Sequence, residues 1–112
     1  MRSPRSTLSS DTLGRLPWAP RKSTRYPVPP SLGEALSVMG MAWRGKGDLA
    51  RSRDYLQRAV AEAPNDPAVL NNYGVVLAES GMLPDAKAQW RRVLEIDPAN
   101  ATAKANLSAS GQ

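Results

Sequence analysis

From Ser31 onward, apolar residues recur three and four positions apart, as in Leu36, Met39, Met41 and Trp43, and no alternating β-branched run is long enough for a strand. The pattern predicts helices. The first has a clear start in "SLGE", where Ser31 and Glu34 hold S-x-x-E spacing directly after Pro30. The hydroxyl can accept from the N–H of Glu34 while the carboxylate reaches back to the N–H of Ser31.

The same apolar pattern then returns at a fixed distance. "LSVMGMAWRGKG" (residues 36–47) and "LNNYGVVLAESG" (70–81) share their leucine and both glycines at an offset of 34. The offset continues: Leu49 meets Leu83, Leu56 meets Trp90, Ala59 meets Val93 and Pro64 meets Pro98, without a gap. Each copy reads as a helix, a turn and a second helix. The mid-helix glycines, Gly40 and Gly74, permit close approach of the second helix because they lack a Cβ. Ser52 and Ala86 are expected to face them. Gly47 and Gly81 close the first helix of each pair, in a left-handed conformation that glycine adopts cheaply. "GKGD" and "SGMLPD" are the turns, so "RGKG", which lacks the phosphate-loop spacing and follows a helix, is a turn and not a phosphate cradle. The second helices stop before Pro64 and Pro98, since the residue ahead of proline avoids helical angles. Asp66 is a ready N-cap with Pro67 at the first helical position, and Pro84 plays the same part for the fourth helix. A fifth helix near Thr102–Ala109, capped by Asn100, is expected to cover the end with Ala103 and Leu107. The fold class is thus all-α: about five helices in antiparallel helix–turn–helix repeats behind an extended N-terminal arm. The division is residues 1–30 for the arm and 31–112 for the domain, with repeats at 33–66 and 67–100 and a cap at 101–110.

The arm differs in composition. Six of the ten prolines fall within residues 1–30, mixed with Ser, Thr and Arg. So polar a segment buries too little surface to offset its ordering entropy and is expected to be disordered in isolation, with "YPVPP" favouring a stiff polyproline spacer. Charge follows the same boundary. Residues 1–32 hold six basic side chains against Asp11, and the nine basic and nine acidic side chains beyond them cancel, so the whole +5 belongs to the arm. Nucleic-acid binding is therefore expected only through the arm.

The chemistry available is narrow. There is no cysteine and no histidine, which removes disulfides, thiolate nucleophiles, the usual metal ligands and the commonest general base. Asp85, Glu95 and Asp97 stand at helix ends and on polar faces without a companion nucleophile, as caps and dipole partners do. No catalytic residue, cofactor or metal is expected, so the reading is not an enzyme. No apolar run reaches the ~20 residues of a membrane span. The expected compartment is the cytoplasm, with import into an organelle as the alternative if the Arg/Ser/Thr-rich arm is a transit peptide. Trp43, Tyr73 and Trp90 are read as core, while Trp18, with Arg21 and Lys22 in "RLPWAPRK", has no structural duty and is a candidate linear motif.

The 34-residue helix–turn–helix with these marks resembles the tetratricopeptide repeat. The second copy carries most of the signature, in Leu70, Tyr73, Gly74, Leu77, Gly81, Ala86, Trp90, Val93 and Pro98. The first departs at Met39, Ser52 and Leu56, and Ser108 stands where a third copy would have its glycine. The resemblance implies a concave groove, lined by the first helix of each repeat, that binds an extended segment of a protein or peptide partner. By register the groove positions are Ser37, Met41, Arg44, Asn71, Val75, Ala78 and Thr102. Relatives that grip a terminal carboxylate use a Lys/Arg/Asn cluster, to which only Arg44 and Asn71 could contribute here. The implied function is a non-catalytic adaptor with the arm as a second contact, and a homo-oligomer that stacks terminal repeats is an open option. The rivals are a structural subunit whose arm threads a larger assembly and weak nucleic-acid binding by the arm.

Overall fold

A computed structural model of the chain describes residues 29–111. These residues form five helices and no strand: α1 (Leu32–Gly45), α2 (Leu49–Glu62), α3 (Pro67–Glu79), α4 (Leu83–Ile96) and α5 (Ala101–Ala109). The expected linear motif of Trp18, Arg21 and Lys22, and all of the arm except Pro29 and Pro30, lie outside the described residues.

The helix boundaries follow from local chemistry. Ser31 Oγ accepts from Glu34 N at 3.2 Å. The second half of the expected box differs, for the Glu34 carboxylate accepts from the Ser31 hydroxyl itself at 3.3 Å. Asp48, Asp66 and Asn100 cap α2, α3 and α5 through side-chain oxygens. Each satisfies a donor that the first turn of a helix leaves free. α4 begins without a side-chain cap and relies on Pro84 in its first turn, whose missing N–H needs no partner there. Gly47 and Gly81 take φ of +84° and +81°, the left-handed turn that closes α1 and α3.

α1 packs chiefly on α2 and α3 on α4; α3 also meets α2 and α1, and α5 rests on α4. α3 is thus enclosed on several sides, and its sequence shows it. It carries a single charged residue, Glu79, where α2 and α4 carry five each. The larger core joins Leu70, Leu77, Ala86, Trp90 and Val93 to Ala103 and Leu107 of α5, which makes α5 the expected cover over the second pair. A smaller core of Leu36, Ala59 and Val69 spans the two pairs, and Val60 packs against both.

Two expectations about packing need correction. The residue standing over Gly74 is Trp90, not Ala86: a Cβ at Gly74 would lie 2.8 Å from Trp90 Cε2. Gly40 does face Ser52 as expected, for the Ser52 carbonyl would be 3.2 Å from such a Cβ and its hydroxyl donates to Gly40 O at 2.6 Å, but it also faces Leu56, whose Cγ would be 2.7 Å away. The bulky residue of the second helix fills the notch because the missing Cβ leaves room for a side chain as well as for the backbone. The second correction concerns Trp43, which is only half-buried. Its ring lies beneath the cations of Arg51 (4.7 Å to the centroid) and Lys46 (5.8 Å) beside the α1–α2 turn. Leu77, its counterpart one period on, is 2% exposed and shares the core with α5.

Candidate functional site

α1 and α3 lie side by side, and two side-chain contacts fix their register. Asn72 Nδ2 donates to Ser37 Oγ at 3.0 Å. Further along the two helices, Arg44 donates to both carboxylate oxygens of Glu79, each at 2.6 Å. Both contacts are 35 residues apart in sequence, one more than the repeat period. Ser37 and Arg44 thus contact Asn72 and Glu79 across the two helices, each one residue beyond its own repeat equivalent, Asn71 and Ala78. Sequence reasoning missed both contacts. Glu79 did leave a signal, since a carboxylate in the last turn of a helix opposes the helix dipole and calls for a nearby cation.

The bidentate pair holds both partners in their charged forms. The hydrogen bonds from Arg44 lower the Glu79 pKa below its usual carboxylate value, and the same bonds from Glu79 raise that of Arg44. Solvent weakens the effect, as the side chains are 38% and 39% exposed. The pair also bears on recognition. The guanidinium fork already holds a carboxylate through Nε and one Nη, so the terminus of another chain would have to compete with Glu79 for it.

Two recesses open between α3 and α5. The first, of about 490 Å³, sits at their N-terminal ends and is polar, lined by Asp66, Asn71, Asn72, Asn100 and Thr102 among others. Asn71 is buried at 7% exposure. Its amide nitrogen donates to Asn100 Oδ1 at 3.2 Å, and the same oxygen caps α5 through Ala103 N at 2.9 Å. The Asn71 carbonyl accepts from the Trp90 indole at 3.5 Å. Its side-chain oxygen is buried without a partner. Asn71 thus ties α3 to α4 and to the cap of α5 at once. Thr102 is exposed at the rim.

The second recess, of about 400 Å³, lies towards the C-terminal ends and is mostly apolar: Val75, Ala78, Leu83, Trp90 and Ala109, with Glu79 and Asn106 at its polar edge. The buried amide nitrogen of Asn106 has no partner there. Of the seven register positions, then, Asn71 and Thr102 share the polar recess, and Val75 and Ala78 share the apolar one. Ser37 and Arg44 are engaged across α1 and α3, and Met41 is half-buried on α1 in neither recess.

Tyr73 is the other perturbed group among the described residues. Burial against the core, aided by the negative charge of Asp85, raises its pKa above 10.0, and Arg53 partly opposes this.

Among the described residues no helix is long and apolar enough to cross a membrane. The tetratricopeptide repeat family model matches residues 44–109, more than half of the chain. No curated protein matches it.

Proposed function

The chain belongs to the tetratricopeptide repeat family, whose repeats generally mediate protein–protein interaction and are typically non-catalytic, and from that premise we propose that it is an adaptor that holds an extended segment of a partner protein along the α1–α3–α5 groove. The observation that carries the reading is the pairing of one polar and one apolar recess on the same side of α3. Asn71 and Ala78 are seven residues apart on that helix, about 10 Å at helical rise. That is about three residues of extended chain. The favoured ligand therefore places backbone N–H and C=O groups over Asn72 and Thr102 and a large apolar side chain, about three residues away, against Val75, Ala78 and Leu83. With Arg44 neutralised by Glu79, neither a free C-terminus nor an acidic run is required. The basic arm, Arg21 and Lys22 included, supplies a second contact.

The test is selection of binders from a library of random twelve-residue peptides, followed by titration of the best binders against variants. Ala78→Gln fills the apolar recess and should weaken binding at least tenfold. Ala88→Gln, the same change at an exposed position of α4, should leave it unaltered. Equal affinity for both variants, with circular dichroism showing both folded, rules out the groove as the binding surface.

A further inference from the structure

The face of α1 turned away from α2 and α3 is apolar and bare. Leu32, Val38 and Met39 are 58%, 67% and 44% exposed, and Ala35 and Ala42 continue the stripe at helical spacing. The only charged residues of α1 are Glu34 and Arg44, and Arg44 is already paired with Glu79. In composition α1 resembles the enclosed α3, not the solvent-facing α2 and α4.

One period later, the same positions reach back to the preceding helix pair. Val38 and Met39 correspond to Asn72 and Tyr73. Asn72 bonds to Ser37 of α1, and Tyr73 packs on the core within the field of Arg53 on α2. The first pair has no pair in front of it among the described residues, yet it carries side chains suited to being covered.

We infer that residues 13–18 of the same chain, "LGRLPW", fold back to cover this stripe, with Leu13, Leu16 and Trp18 laid against Leu32, Val38 and Met39. This is a different surface from the groove and does not rest on that reading. Three observations choose this occupant. The segment enters from the right end of α1. Trp18 lies eleven residues ahead of Pro29, a tether of up to ~36 Å, while Leu32 to Met39 spans only about 10 Å of helix. Area disfavours a second copy: three side chains and two alanines present a few hundred Å², well short of the ~800 Å² per partner of a stable interface. A short tether instead gives an effective concentration near millimolar, enough to seat a small apolar patch in cis. Charge is also suitable, because Arg21, Lys22 and Arg25 stand between the segment and α1 in the sequence, and Glu34 in the first turn of α1 is exposed. Such a cover is a strap contributed by the chain's own arm.

The chain has no native cysteine, so Thr12→Cys takes a single nitroxide spin label. In the full-length protein, the label should broaden the methyl signals of Val38 and Met39 and spare Leu107. The broadening should persist when isotopically enriched, labelled chain is diluted tenfold with native chain. Absence of broadening on α1 overturns the proposal. So does broadening that fades on dilution, which assigns the face to a second copy. The double variant Leu16→Ser/Trp18→Ser gives a separate readout. Amide exchange in α1 should accelerate relative to α4, with a melting temperature lower by about 4–8 °C; unchanged exchange in α1 contradicts a strap.

Discussion

Replacing Gly74 by alanine tests how the second helix pair is held together. Alanine is the better helix former by about 0.5–1 kcal/mol, so in open surroundings the substitution would stabilise α3. Here the new Cβ would sit 2.8 Å from Trp90 Cε2 and 2.9 Å from Cδ1. The indole is 4% exposed and belongs to the larger core with Val93, Ala103 and Leu107, so it escapes the new Cβ only by tilting into the recess it lines or by moving α4 or α5. Overpacking of a tight core costs about 1–3 kcal/mol, and closure this severe belongs at the upper end. Subtracting the helical gain leaves a loss of about 2 kcal/mol, or roughly 8–16 °C in melting temperature for a domain of this size. Gly45→Ala is the matched control. That glycine is also helical, yet a Cβ there meets nothing within 4 Å, so the change should raise stability by about 0.5 kcal/mol. Thermal and urea unfolding of the two variants read the difference directly. If Gly74→Ala melts at or above the parent chain, the indole does not fill the notch and the packing described is wrong.

Gly81→Ala forces a side chain into a turn at φ +81° and should cost about 1–2 kcal/mol by urea unfolding. Leu107→Ala removes the buried anchor of α5 from the larger core and should cost about 2–4 kcal/mol, with amide exchange accelerating in α5 before α3. The Glu79 pKa is lowered by Arg44, so the stability it lends is present above the ordinary carboxylate range and is lost as pH falls through its lowered folded value. Both partners are over a third exposed, so the loss is only about 0.5 kcal/mol, and acid titration of Glu79→Gln should show it missing. Tyr73 has the opposite sign: its raised pKa makes stability fall as pH rises beyond about 10, a slope that Tyr73→Phe should flatten.

Much of the fold was legible because repeat proteins write local chemistry twice. The caps at Ser31, Asp66 and Asn100 and the left-handed glycines at 47 and 81 act within a few residues of chain, and the offset of 34 shows as soon as the two copies are set in register. The site was legible only in part. A period is measured along the chain, whereas neighbours in space depend on how one helix is rotated and shifted against the next. That is why Ser37 and Arg44 touch Asn72 and Glu79, which the period does not single out. Trp43 shows the same limit, since its position in the repeat marks an interior place but not whether a neighbour closes it. Asn71 was legible as a groove position, but not its amide bond to Asn100, which caps α5.

The groove claim is tested most directly by mapping amide and methyl chemical shifts of the full-length chain while a selected peptide is added. The account predicts that the largest shifts cluster on Asn72, Val75, Ala78, Leu83 and Thr102, with an intermolecular contact from an apolar peptide side chain to the Trp90 ring. Shifts concentrated on the outer faces of α2 and α4, with those five residues unmoved, would contradict it.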